Sequence, residues 1–151
     1  MNQIIYFCAT YLIFIAALYA MYRVLTKHEE KHRLRHIIIV AASAPLAWAA
    51  SHFLKGIIAH PRPDLTLALL QPKDLYSFPS GHASFMFALA FAVQIFDKRS
   101  AKILFVLAVV TGIARVLAGV HFWYDIVGGF ILAWAVTCIV SYIAKRTIRK
   151  A

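Results

Sequence analysis

In the segment KGIIAHPRP, Lys55 precedes Arg62 by seven residues. At 3.6 residues per turn, seven is close to two turns, so both side chains would leave one face of a helix that ends near Pro61. The rise between them is about 10 Å, which two long side chains can close around a shared anion. A snorkelling lysine beside an interfacial arginine fits the pair at least as well. A second group lies in YSFPSGHASF, where Ser80 can cap a helix, Gly81 lets the backbone approach a ligand, and the unpaired amides of the first turn attract an anion. His82 stands at that same point, able to donate a proton to a leaving oxygen. A plain cap would explain Ser80 and leave Pro79, Gly81 and His82 without a reason. The third group, ARVLAGVHFWYD, carries Arg115, His121 and Asp125. A carboxylate on one imidazole nitrogen fixes the tautomer and leaves the other as a nucleophile. By itself His-x-x-x-Asp also suits a metal pair or a structural hydrogen bond.

Whether these groups meet depends on the elements that carry them. The 151-residue chain is 62% hydrophobic with a mean hydropathy of +0.74, which excludes an ordinary soluble domain. Five apolar stretches, at 4–25, 37–58, 83–96, 103–120 and 126–144, predict an all-α polytopic membrane bundle of about five transmembrane helices. The third is short and crosses only as a helix from about Ser80 to Asp97. The first lacks a preceding cation and a clean cleavage site, so it is expected to be a retained helix and not a signal peptide. Pro45 is expected to kink the second span, and Gly128 with Gly129 to allow close helix contact. LTLALL is expected to lie along the interface or form a short helix. Cys8 and Cys138 lie in apolar runs and are expected to be core residues. No repeat or linker marks a second domain, so 1–151 is one unit with its motif core at 55–125.

Twelve of the sixteen basic residues fall after the first span, between the third and fourth, or after the fifth: Arg23, Lys27, Lys31, Arg33, Arg35, Lys98, Arg99, Lys102, Lys145, Arg146, Arg149 and Lys150. With alternating spans they share one side, which the positive-inside rule makes cytoplasmic, with the N-terminus outside and the C-terminus inside. Anionic lipid headgroups suffice as partners for this net charge of +10, and no nucleic acid is implied. The other basic residues, Lys55, Arg62, Lys73 and Arg115, run against that preference, which points to function. All three groups then fall on the outer side. Together they offer three cations, a helix N-terminus and two histidines, the means to hold a phosphate and attack its phosphorus. Only Asp64, Asp74 and Asp125 are acidic on that side, too few for a two-metal site. His60 is expected to be solvated at the interface, His52 to bond between helices, and His28, His32 and His36 to be solvated in the basic loop.

At these residues the chain resembles the type 2 phosphatidic acid phosphatase superfamily of integral-membrane lipid phosphatases. The family signature K-x6-RP, PSGH and SR-x5-H-x3-D is matched by Lys55, Arg62 and Pro63, by Pro79-Ser80-Gly81-His82, and by Arg115, His121 and Asp125. The family serine before the arginine is Ala114 here, and the family commonly has six spans, not five. The resemblance implies catalysis by His121, His82 and Asp125. In that scheme His121 forms a phosphohistidine, Asp125 orients it and His82 protonates the leaving group. Lys55, Arg62, Ser80, Gly81 and Arg115 bind phosphate, with neither metal nor cofactor. It further implies a lipid phosphate or diphosphate substrate at the outer face of the cytoplasmic membrane. The HPRP and ARVLAGVHFWYDIVGG segments look most like bacterial undecaprenyl diphosphate phosphatases. Phosphatases of phosphatidylglycerophosphate, phosphatidic acid or lipid A are the nearest alternatives. A vanadate-dependent haloperoxidase and a silent membrane scaffold are more distant ones. Oligomeric state is not encoded in any of these features.

Overall fold

The computed structural model describes residues 2–26 and 32–148, the side chain of Ile148 excepted. Lys27, His28, Lys31, Arg149 and Lys150 lie outside the described residues. Six α-helices follow one another: α1 Asn2–Thr10, α2 Leu12–Thr26, α3 Arg33–Ile58, α4 Gly81–Gln94, α5 Lys98–Leu117 and α6 Trp123–Ile148. Among the described residues there is no strand, only an isolated bridge between Pro61 and Tyr76 in the long α3–α4 loop.

α3, α5 and α6 are long and apolar enough to cross a membrane. The expected first span is instead two helices bent by 44° at Tyr11, and together they pass as a fourth. The bend serves two packings. Ala9 at the end of α1 joins Ala114, Ala118 and Val120 in a small apolar cluster, whereas Leu12, Ala16, Ala20 and Val24 of α2 join the main core. The expected third span begins where predicted, with Ser80 as its cap, but stops at Gln94. At 14 residues α4 is about 21 Å long, short of a hydrocarbon core. Its surroundings explain this: α4 packs against α2, α3, α5 and α6, and Gly81, Ala83, Ser84, Met86 to Ala90, Ala92 and Val93 are all buried. Its surroundings are mainly protein, so its length need not match a bilayer.

Small residues set the close approaches. A Cβ on Gly129 would stand 2.8 Å from the Ala83 Cβ and 3.0 Å from the Ser80 carbonyl oxygen, and one on Gly128 would stand 2.4 Å from the Phe78 ring. The glycine pair thus lets α6 lie against the start of α4, as its sequence suggests. Pro45 sits inside α3, which continues through it to Ile58. LTLALL forms a single 3-10 turn at Leu65–Leu67. Cys138 differs from expectation in facing outward on α6, while Cys8 is half-buried.

Chain ends define two poles. Asp97 caps α5, accepting from the amides of Arg99 and Ser100 at 3.2 and 3.3 Å, and its carboxylate also receives Arg23 Nε at 3.0 Å. That pole gathers the end of α2, the start of α3, the end of α4, the start of α5 and the end of α6. The opposite pole holds the end of α3, the start of α4, the end of α5 and the start of α6. All three sequence groups lie there.

Candidate active site

His121 follows the end of α5, where Gly119 turns the chain with φ of 75°, a conformation glycine adopts without steric cost. Asp125 sits in the first turn of α6. The turn between the helices brings them together: Asp125 Oδ2 lies 3.1 Å from His121 Nδ1 and accepts the Phe122 amide at 2.9 Å. Asp125 is fully buried and His121 nearly so. Facing a carboxylate, Nδ1 carries the ring proton, which leaves the Nε2 lone pair as the free nucleophilic position. Burial, only partly opposed by Asp125 and reinforced by the charges of Arg115, Arg62 and Lys55, holds the His121 imidazole down at about 4. The ring is therefore neutral at neutral pH.

Ser80 fixes α4 against this pair. Its side chain caps the helix at Ala83 N, 3.5 Å away, and its own amide donates to the Asp125 carbonyl at 3.0 Å. His82, in the first turn, is half-exposed and forms no hydrogen bond among the described residues. It lies within electrostatic reach of Arg115, His121, Lys55 and Asp74. The missing side chain of Gly81 also serves packing. A Cβ there would meet Ser51 Oγ at 3.1 Å and His52 Cε1 at 3.2 Å, so the missing side chain admits α3.

Lys55 and Arg62 do converge, but not along one helix. α3 ends at Ile58, and Ala59 takes a left-handed conformation with φ of 50°, its amide returning to the Lys55 carbonyl. Arg62 thus lies past the helix, on the returning chain. It donates through Nε to the Asp74 carbonyl at 2.9 Å, through Nη1 to the Val120 carbonyl at 2.6 Å, and through Nη2 to Asp74 Oδ1 at 2.7 Å. Lys55 Nζ takes the other carboxylate oxygen, Asp74 Oδ2. Burial pushes the Asp74 carboxyl up, but Lys55 and Arg62 together prevail and hold it down at about 2.

Arg115 is the least satisfied cation of the group. It is buried in the last turn of α5, and among the described residues its Nε has no partner and its one hydrogen bond, from Nη1 to the Ala9 carbonyl, is 3.4 Å long. A buried guanidinium with this little compensation is costly unless an anion completes it. Ala114, at the position of the expected serine, is buried in the apolar cluster with Ala9.

Sequence reasoning missed a buried support. Ser77 is fully buried; its Oγ lies 3.4 Å from Asp125 Oδ1 and 3.0 Å from the Pro61 carbonyl, and 3.1 Å from His60 Nδ1. His60 also approaches the Tyr124 hydroxyl through Nε2 at 3.3 Å and stacks edge-on against Phe122. It is thus a bonded part of the wall, not a solvated interfacial residue. Among the described residues His52 bonds within its own helix, Nδ1 lying 2.9 Å from the Trp48 carbonyl, and not across helices. His36 is buried and stacks on Phe96 at 4.8 Å, away from the solvent expected for it. Among the described residues no three His, Cys, Asp or Glu side chains gather as a metal-binding group.

The chain is similar to several known proteins. The chain is 30% identical over 136 residues to the bacitracin transport permease protein BcrC of Bacillus licheniformis, covering 87% of this chain and 66% of that protein. It is 33% identical over 110 residues to "Putative undecaprenyl-diphosphatase YbjG" of Escherichia coli K12, covering 70% of this chain and 53% of the relative. The chain therefore spans between about half and two thirds of the length of these relatives. Among solved structures, the transmembrane PAP2 type phosphatidylglycerolphosphate phosphatase of Bacillus subtilis superposes with a TM-score of 0.63 at 22% identity, over 96% of this chain and 77% of that one. LpxE of Aquifex aeolicus does so with a TM-score of 0.62 at 24% identity, over 91% and 81%. These neighbours establish the fold as that of multi-pass membrane proteins. Residues 35–149, which hold every residue of the site, match the family described as the PAP2 superfamily, and the chain belongs to it.

Proposed function

We propose that the chain is a membrane lipid phosphatase that removes the terminal phosphate of a lipid diphosphate at the outer face of the cytoplasmic membrane. Its preferred reaction is undecaprenyl diphosphate plus water to undecaprenyl phosphate plus phosphate. The observation that carries this reading is the buried His121–Asp125 pair beside an under-bonded Arg115. In the reaction His121 Nε2 attacks the terminal phosphorus, a P–N bond forms, and the bond to the bridging oxygen breaks. His82 takes up a proton from the terminal phosphate as the substrate binds and gives it to that oxygen. Asp125 stabilises the positive ring that results, while Arg115, Lys55, Arg62 and the free amides at the start of α4 take the charge on the equatorial oxygens. His82, now neutral, accepts a proton from the water that attacks the phosphohistidine, and phosphate leaves with His121 restored. The undecaprenyl diphosphate substrate is supported by the name of the Escherichia coli relative. The outward-facing site is supported by the exposed basic residues Lys98, Arg99, Lys102, Lys145 and Arg146 at the opposite pole.

The test is phosphate release by the detergent-purified protein from undecaprenyl diphosphate, phosphatidylglycerophosphate and phosphatidic acid, with EDTA present, beside His121→Ala. Release that favours the diphosphate, survives the chelator and falls by at least about 10³-fold in the variant supports the reading, since loss of a covalent nucleophile has effects of that order. Preference for a monophosphate lipid changes the substrate and keeps the chemistry. No release from any of them by folded protein overturns the reading.

A further inference from the structure

Two of the three cations that the proposed reaction assigns to phosphate are already held by an anion. Asp74 bridges them, Oδ2 on Lys55 Nζ and Oδ1 on Arg62 Nη2, with two oxygens where two phosphate oxygens would bind. The Lys55 and Arg62 side chains are 7% and 4% exposed, whereas the Asp74 side chain is 38% exposed. The carboxylate thus lies on the open side of its partners and can leave outward. Asp74 belongs to no helix, so its side chain can rotate without unwinding an element. Its carbonyl also accepts Arg62 Nε at 2.9 Å, which keeps the loop tethered while the carboxylate moves.

We propose that Asp74 is a resident anion that occupies the Lys55–Arg62 pair between turnovers, is displaced by the substrate's terminal phosphate, and returns to expel inorganic phosphate. This rests on the phosphatase reading above. Lys55, Arg62 and Arg115 all lie within electrostatic reach of Asp74, three cations around one carboxylate. An incoming group must therefore outcompete a carboxylate already in place. A diphosphate, with more charge and more oxygens than a monophosphate, does this better. Asp74 thereby selects diphosphate headgroups and limits inhibition by the released phosphate.

The experiment compares the full-length wild type with Asp74→Asn, which keeps shape and removes charge. Asp64→Asn serves as control, removing a charge from an exposed position in the same loop. Inhibition by inorganic phosphate and the kcat/KM ratio of lipid diphosphate to lipid monophosphate are read in each. In Asp74→Asn phosphate should inhibit about ten-fold more tightly, the scale of one close charge, and the ratio should fall. Asp64→Asn should leave both within about two-fold, as expected of a solvated charge. Weaker or unchanged phosphate inhibition in Asp74→Asn would make Asp74 a mere support for Lys55 and Arg62 and overturn the proposal. So would an equal effect in Asp64→Asn. Two further readings need no turnover. Phosphate should raise the melting temperature of Asp74→Asn more than that of the wild type. In the wild type, phosphate should speed amide exchange in the 70–76 segment. Slowed or unchanged exchange overturns the proposal even should the variant fail to fold, and a wild type inert on every lipid condemns the phosphatase reading separately.

Discussion

Each pole of the bundle is organised around one aspartate that holds basic side chains, and the two aspartates are built differently. Asp97 is buried, caps α5, receives Ser100 Oγ at 2.7 Å and ties Arg23 of α2 to the core. Its bonds to Arg23, to the first amides of α5 and to Ser100 all tie parts of the scaffold together, so it is a fixture. Asp74 caps no helix, is partly exposed, and holds two cations with no other described carboxylate partner. The same carboxylate–cation chemistry therefore does two jobs, and what separates them is whether the anion belongs to an element. A fixed anion locks a helix; an anion on a loop can be exchanged for a ligand.

The grooves differ in the same sense. Between α4 and α6 near the Asp97 pole lies an open groove of about 370 Å³, lined by Phe91, Gln94, Ile95, Trp134, Thr137, Cys138, Ser141, Tyr142 and Lys145. It has room but no histidine or carboxylate among its lining residues. The other pole concentrates the chemistry around His121.

The largest effect that would sharpen the contrast is on the two arginines. Arg115→Lys should lower kcat/KM by about 100-fold, because a lysine cannot present the planar fork to two phosphate oxygens. Arg23→Lys should leave kcat/KM within about two-fold and act on stability alone, since a partly exposed ion pair contributes modestly. Steady-state kinetics with thermal unfolding of both variants checks this. Equal losses of activity would erase the distinction between the poles.

How far the sequence could be read depended on whether spacing or tertiary folding placed a residue. Ser80, His121 and Asp125 were legible because a helix cap and a four-residue turn are local matters. The convergence of Lys55 and Arg62 was foreseen for the wrong reason: the chain reverses at Ala59, and a residue from further along the loop joins them. Asp74 was visible only as one of few acidic residues on its side, because nothing local relates it to a lysine nineteen positions earlier. Ser77 and His60 escaped notice likewise, since their partners are brought by the fold. The helical stretches were legible from hydropathy, whereas their number was not, because the bend at Tyr11 that makes six helices of five and the short α4 depend on what packs around them.

A smaller effect is expected from the glycines that let the site assemble. Gly129→Ala places a methyl 3.0 Å from the Ser80 carbonyl oxygen and 2.8 Å from the Ala83 Cβ. The α4–α6 contact must open, costing about 1–3 kcal/mol by the usual scale of overpacking. Melting temperature should drop by several degrees and activity by several-fold. Gly56→Ala, inside α3 with nothing within 4 Å of the added Cβ, should instead leave activity unchanged and raise stability slightly. Differential unfolding of the pair checks this, and a harmless Gly129→Ala would show that the start of α4 can shift without misplacing its cap.

The smallest expected change is none at all. His121 sits at about 4 because burial and three neighbouring cations outweigh Asp125. A histidine so depressed stays neutral above that value, while in the unfolded chain it takes its proton near 6.5. Folding stability from this group is therefore full above about 6.5 and erodes as pH falls toward 4. The Asp74 pair, held at about 2, adds its own loss only below the ordinary carboxylate range near 4. In carbon-13 histidine-labelled protein the His121 ring signal should accordingly stay flat from pH 5 to 8. Asp125→Asn should move its midpoint lower still, since the carboxylate is the one neighbour that favours the charged ring. A signal that titrates near 6.5 would mean that the imidazole is hydrated and its cations screened, and the pole around His121 would then lack the electrostatics assigned to it.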